Sequence, residues 1–422
     1  MQQLNGLEAA RSWSRERHLT IPAEDAALVR DIIRQVAERG DAAVRELSER
    51  FDGTAPERLQ VDSAALEAAH SGLAAELLAA IRLAVQRVRN FYSHQEGNGF
   101  SYTEADSGFG LMVRPVDSVA CYIPGGQAPL FSTLIMTAVP AQLAGVARIA
   151  VASPPGPDGL PHPLVLAVAH ELGLREVHAV GGAQAIAALA LGTDSVTRVD
   201  KIVGPGNRFV MHAKQQLNGT VGIESLPGPT ETLVLADSSA HVDHVIADLL
   251  AQAEHAGAVP LLVTDSEQLR TDVLAGLPAA LAGLPTAAAA SESLQERGAA
   301  ILTTDLAEAV EVANEIAPEH LCLLVADPEP LLARVRNAGG VFVGHTSMEA
   351  LGDYVAGPSH VMPTGGSARF ASFLNLRDFQ KVIPVIRTGK ELLADIGPAG
   401  VLLARAEGLE AHARAILARL PE

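Results

Sequence analysis

The stretch "LLAQAEHAG", residues 249 to 257, places Gln252 and His255 three positions apart near the end of a helical pattern. An amide oxygen and an imidazole on one flank can serve as donors to a divalent cation or as partners for a polar ligand. At about 100° per residue, Val242, Val245, Ile246, Leu249, Leu250 and Ala253 form one apolar stripe, with Gln252 roughly 20° beyond its edge and His255 roughly 80° beyond. That count puts neither residue in the core and neither on the open back of the helix, which Gly257 is expected to end. A filled surface turn and half of a binding site both fit.

Other chemistry-bearing groups are spread along the chain. Glu319 and His320 adjoin in "PEH", just before the strand-like "LCLLV", where an acid and an imidazole could supply two proton-transfer groups to one cleft. Cys322 follows two residues later; a covalent thiohemiacetal role is conceivable, but a small buried residue of a core strand is the commoner fate. Residues 345 to 370 are crowded with Gly and Pro and carry Asp353 and His360, and irregular segments of this length inside compact domains are usually functional. Glu407 and His412 flank a helical turn in "AEGLEAHARA" that reads equally well as a solvated face. Gln252, His255, Asp353 and His412 would together make a mixed nitrogen and oxygen set suited to zinc, with positions left for substrate. No spacing demands that combination, and it is one among many.

The elements that must position these groups follow an α/β pattern. The first hundred residues read as helices, including "AEDAALVRDIIRQVAERGD" and "AAVRELSERFDG". From residue 109 onward, strand-like runs alternate with helices: "VDSVACYIPGG", "ARIAVASPPG", "EVHAVGG" and "DKIVGPGN", then "TLVLAD", "VPLLVTD", "AAILTT", "LCLLVAD" and "GVFVG". This rhythm predicts doubly wound parallel sheets in two α/β domains, with boundaries near residues 121 and 231, and a helical tail. The motif G-x-G-x-x-G is absent, as are a P-loop, H-E-x-x-H and G-x-S-x-G. "VGGAQAIAALA" and "VGPGNRF" place glycines between strand and helix, either as plain turns or as anion-binding ones.

Composition narrows the class. A chain of 422 residues, 48% hydrophobic, is long enough for more than one folded domain. A net charge of -18 argues against a nucleic-acid partner or an anionic membrane surface. Two cysteines, Cys121 and Cys322, make no disulfide framework. With no signal-like N-terminus and no apolar run near ~18 residues, a cytoplasmic location is expected.

The motifs "YIPGG", "VGGAQAIAALA", "KIVGPGN", "QAEH", "APEH", "GDYVAGPSHVMPTGG" with "ARF" after it, and "AEGLEAHARA" occur here in that order. On them the chain resembles the histidinol dehydrogenase family over nearly its whole length. The resemblance implies oxidation of L-histidinol through bound L-histidinal to L-histidine with two NAD+, the final steps of histidine biosynthesis. It also implies one Zn2+ per subunit, held by Gln252, His255, Asp353 and His412, with Glu319 and His320 as the acid–base pair. Substrate contacts would come from Thr230, His360 and Glu407 together with Gln252, His255, His320, Asp353 and His412; cofactor contacts would come from Tyr122, Gln184 and Asn207. Family members are homodimers whose tails cross, so that Glu407 and His412 would serve the other subunit's site.

Pattern and resemblance together divide the chain into an N-terminal segment (1–20), a discontinuous domain carrying the catalytic and metal residues (21–121 and 232–374), a second domain (122–231) and a crossing tail (375–422). Both domains are expected to be incomplete Rossmann-like. Two positions depart from the family pattern: Thr230 in "GPTE", where Ser is usual, and Ser359 in "AGPSH", where Asn is usual. The alternatives are a related zinc and NAD dehydrogenase of another small polar diol, and a non-catalytic binding protein. The retained Glu319, His320 and four ligand positions argue against the second.

Overall fold

Strand and helix alternate between Ser118 and Val343, and the strands there assemble into two parallel sheets with a common order. The computed structural model describes residues 1–16, 23–95, 97, 99–125, 129–226, 228–255 and 257–421. Two units separate by their internal contacts, Met1–His94 with Asp117–Asp378, and Gln95–Val116 with Phe379–Glu422.

In the first unit, one sheet runs Glu176–Ala179, Arg148–Ser153, Ser118–Tyr122, Lys201–Val203, Gly222–Ile223. Numbered along the chain this is the order 3-2-1-4-5, a dinucleotide-binding sheet without its sixth strand. The other sheet runs Gln2–Asn5, Ala299–Leu302, Val259–Thr264, Glu231–Ala236, His320–Leu324, Gly340–Val343. Leaving out the N-terminal edge strand, the same 3-2-1-4-5 order recurs. No sequence repeat announced this, because strand order depends on where crossovers land and not on which apolar residues fill the strands.

Both faces of the six-stranded sheet are covered, so its strands are apolar on both sides. Leu233, Leu235, Leu321 and Leu323 pack with Val310 and Ala313 of the helix Leu306–Ile316. Val234, Ala236, Cys322 and Leu324 pack with Val245 and Leu249 of the helix Val242–Ala253. The helices Ala23–Arg39 and Asp41–Asp52 fall in the segment grouped above with residues 232–374. Their Val29, Ile32, Val44 and Leu47 nevertheless share a core with Ile186, Leu189 and Ile202 of the five-stranded sheet and its cover.

The second unit holds an antiparallel sheet, Gln380–Arg387 with Ser107–Pro115 and Phe100–Glu104. Its hairpin turn supplies Asp106, whose carboxylate accepts from the backbone N–H of Glu391 (2.9 Å) and Leu392 (3.3 Å) and so caps the helix Lys390–Ala406. The helix Glu410–Leu417 follows. The tail expected as helical therefore opens with a strand; Pro384 inside it and its exposed residues masked the period-two signal. Among the described residues no single helix is long and apolar enough to cross a membrane.

Candidate active site and cofactor cleft

The central strands Glu231–Ala236 and His320–Leu324 run side by side with His320 opposite Thr232. Alternation puts Thr232 and His320 on the face covered by the helix Val242–Ala253. That helix follows its strand and runs back antiparallel to it, so its last turn returns to the strand's amino end. This delivers Gln252 beside Thr232, with 3.0 Å between Thr232 Oγ1 and Gln252 Oε1.

Gln252 is 0% exposed, so the angular count that left it outside the core is corrected. The strand facing it carries a hydroxyl at the right height, and a polar group bonded in this way can be buried. His255 is exposed and lies past the end of the helix, which stops at Ala253 with Glu254 as its cap. The angular position given to His255 therefore does not apply. Gly257 does take a positive φ, 76°, but beyond the cap.

Glu319 and His320 are both buried. The Glu319 carboxylate accepts from Thr230 Oγ1 at 2.6 Å and from the backbone N–H of Glu231 at 3.0 Å. Burial nevertheless dominates and pushes its pKa up to about 7. His320 Nδ1 lies 3.0 Å from the Glu231 carbonyl oxygen. A carbonyl can only accept, so Nδ1 carries the proton and Nε2 keeps the lone pair. Nε2 is buried and has no hydrogen-bond partner. Cys322 shares the strand, but burial drives its thiol pKa well up, leaving it a packing residue.

Two further buried groups complete this cluster, Thr232 and Glu349. The Glu349 carboxyl meets the Thr232 hydroxyl and stands 3.7 Å from His320 Nδ1. Burial first, then Asp353, pushes its pKa well above the usual carboxylate range. Sequence reading passed over Glu349, although it sits four residues before Asp353 on the short helix Glu349–Tyr354, a spacing that shares a face. His360 Nδ1 donates to the Asp353 carbonyl oxygen (3.0 Å), and its Nε2 is 3.1 Å from Thr133 Oγ1. Burial lowers the His360 pKa, while the Asp353 carboxylate 3.9 Å away acts to raise it. These groups are therefore electrostatic neighbours.

Among the described residues there is no group of three or more His, Cys, Asp or Glu placed to hold a metal ion. His412 and Glu407 belong to the second unit, where both are exposed, Glu407 as the cap of Lys390–Ala406 and His412 on Glu410–Leu417. Within the first unit, one observation fits a metal: the Gln252 amide is fully buried with Nε2 unpartnered. Amide oxygen and nitrogen are assigned from their surroundings. Turned over, the amide donates to Thr232 and leaves Oε1 free as a ligand.

A second site lies at the opposite, carboxyl edge of the five-stranded sheet, where its strand order reverses. A cleft of about 430 Å³ is lined there by Phe51, Asp52, Tyr122, Gln184, Asn207 and Phe209 among others, so the three expected cofactor residues do come together. The Tyr122 hydroxyl accepts from the Gly182 N–H at 3.0 Å. Gln184 Nε2 donates to Asp52 Oδ2 at 3.3 Å. Asn207 caps the helix Arg208–Leu217, its Oδ1 accepting from Phe209 and Val210. The turn before it is tied by a buried ion pair: Lys214 Nζ donates to the Gly204 carbonyl (2.9 Å) and to Glu224 (2.8 Å), while Glu224 accepts from the Gly204 N–H (2.8 Å). Gly204 is obligatory, because a Cβ there would stand 2.1 Å from the Tyr122 carbonyl oxygen.

A cleft at the topological switch point of a Rossmann-type sheet and a buried acid–histidine pair on a second, matching sheet define an α/β oxidoreductase. Comparison with known proteins narrows the class. The family model described as Histidinol dehydrogenase matches residues 16–420. The histidinol dehydrogenase of Deinococcus radiodurans is 55% identical, with all of both chains covered. That of Thermus thermophilus is 48% identical over 97% of this chain and 98% of its own. The crystal structure of histidinol dehydrogenase from Elizabethkingia anophelis superposes with a TM-score of 0.93 at 33% identity, covering 99% of this chain and 98% of that one. The chain belongs to the histidinol dehydrogenase family.

Proposed function

We propose that this protein oxidises L-histidinol to L-histidine in two NAD-dependent steps through L-histidinal, as a zinc-loaded homodimer in the cytoplasm. The observation that carries the reading is the buried pair: His320, its proton fixed on Nδ1 and its Nε2 open, beside a Glu319 held by Thr230 and Glu231. The two free, buried cysteines fit a reducing compartment.

Bound NAD+ would supply the acceptor for a hydride in each half-reaction, and bound zinc would supply a Lewis acid that fixes the substrate. Gln252, His255 and Asp353 would hold the metal, with His412 from a second copy; amide and carboxylate oxygens with two imidazoles suit it. His320 Nε2 takes the alcohol proton as the C–H hydride departs, leaving the aldehyde. The resulting imidazolium is steadied by the Glu231 carbonyl oxygen and by Glu319 Oε2 at 3.7 Å. In the second half-reaction Glu319, ionised, takes a proton from water as its oxygen bonds to the aldehyde carbon. The tetrahedral oxyanion so formed loses its hydride to NAD+ and becomes the carboxylic acid, which ionises to the carboxylate by giving its proton to solvent. A base with a pKa of about 7 suits this work near neutral pH. Thr230, expected as a substrate contact, gives its hydroxyl hydrogen to Glu319 and so keeps the function a serine would have.

The test is turnover with L-histidinol as sole substrate. We expect two NADH per histidinol consumed and histidine as the product by mass. Prolonged chelation should abolish the activity and zinc should restore it. NAD reduction by a different small diol but not by histidinol would transfer the site to the other branch of dehydrogenases.

A further inference from the structure

The cofactor cleft holds an acid that no part of the reaction uses. Among the described residues lining it, Asp52 is the one side chain that carries charge. It is the last residue of the helix Asp41–Asp52, with Gly53 turning the chain at φ 72°. A carboxylate at a helix C-terminus faces the negative end of the helix dipole. Burial pushes its pKa up to about 6. The hydrogen bond that Asp52 accepts from Gln184 is a long one, 3.3 Å, and does not offset the burial.

A dinucleotide offers this carboxylate few suitable surfaces. The pyrophosphate would be repelled, and a purine ring edge presents mostly acceptors. A ribose diol, by contrast, presents two O–H donors at the spacing of a carboxylate. We propose that Asp52 selects NAD over NADP by accepting hydrogen bonds from the adenosine ribose diol and repelling a 2′-phosphate. Dinucleotide enzymes with a G-x-G-x-x-G motif take such an acid from a position about 20 residues after it, in the same βαβ unit. This chain lacks the motif and brings its acid from a helix preceding the sheet altogether. Arg50 lies over the Phe51 ring at 5.0 Å, and Arg208 lies over the Phe209 ring at 4.9 Å while paired with Asp25, so neither arginine lines the cleft. With the Asp52 charge removed, the repulsion of a 2′-phosphate goes with it.

The inference rests on reading this cleft as the NAD site, and the experiment separates the two. Steady-state KM and kcat for NAD and NADP are measured with histidinol for the wild-type holoenzyme and for Asp52→Asn, Asp52→Ser and Phe51→Ala. For both Asp52 variants we expect the KM for NAD to rise on the order of tenfold, as for loss of a hydrogen bond to a charged group. The NAD-to-NADP ratio of kcat/KM should fall by more than that, with kcat at saturating NAD largely kept. NAD lacking the adenosine 2′-hydroxyl should bind wild type less well, yet lose nothing further against Asp52→Ser. A raised KM for NAD with an unchanged NAD-to-NADP ratio would place Asp52 elsewhere along the dinucleotide and overturn the proposal. If neither Phe51→Ala nor the Asp52 variants move the KM for NAD, the cleft itself is not the cofactor site.

Discussion

His320 and Glu319 adjoin in sequence, yet the proposed reaction gives them different work. The Glu231 carbonyl settles which imidazole nitrogen is basic, while burial settles when the carboxylate is ionised. Because burial raises the Glu319 pKa to about 7, its base form disappears as pH falls below that value. Oxidation of supplied histidinal should therefore climb through pH 7 in the wild type, and Glu319→Gln should remove that limb. The variant should lose about 10²- to 10⁴-fold in the aldehyde step, the range typical of a general base, and much less in the alcohol step. Stopped-flow measurement of each half-reaction checks this; equal losses in both would contradict the assigned role. Cys322 makes the complementary point. It lies on the same strand, two residues from His320, and complete burial keeps it a thiol.

At the level of elements, the site depends on returns. A parallel strand followed by an antiparallel helix brings the helix's last turn back to the strand's start, and Gln252 meets Thr232 for that reason alone. The proposed cofactor cleft uses the other end of the same kind of unit, after the strands, where the "VGPGN" turn must stay rigid. Lys214 and Glu224 grip both backbone groups of Gly204 from inside the protein. Lys214→Met should leave a buried carboxylate without its partner and cost roughly 3–5 kcal/mol in urea unfolding. It should also raise the KM for NAD. Adding Glu224→Gln should recover part of the stability, since it removes the stranded charge. Full stability in the single variant would show that the pair contributes nothing.

For the whole molecule, the unit built from Gln95–Val116 and Phe379–Glu422 leaves large apolar side chains in solvent. Ile386 is 72% exposed, Leu402 69% and Leu403 67%. Such a surface fits the proposed homodimer, in which the tail carrying Glu407 and His412 serves a second copy's site. Mixed dimers test it. Glu319→Gln and His412→Ala should each be nearly inactive alone. If sites are shared, a mixed dimer has one doubly defective site and one intact site. Random pairing in equal amounts should then restore about a quarter of wild-type activity. Mixed dimers verified by mass but inactive would show that each site is built within one chain.

The alternation of apolar runs and Gly or Pro turns was enough to read the parallel sheets and the helices between them, because burial on both faces writes itself into continuous apolar strands. The ordered motifs around Gln252, Glu319 and Asp353 were enough to name the family. Strand order, and with it the repeated 3-2-1-4-5 arrangement, belongs to crossovers that leave no mark in composition. The antiparallel strand Gln380–Arg387 was hidden for a different reason, since its exposed residues show no alternation. Asp52, Thr232 and Glu349 were invisible as site residues because each is ordinary in its own segment. Asp52 gains its meaning from Gln184, 132 positions away, and Glu349 from Thr232, 117 positions away. Local pattern reports which face of an element is buried. Which polar groups meet across that burial, and hence which carboxyl stays ionised and which histidine nitrogen is free, only the packed tertiary structure decides.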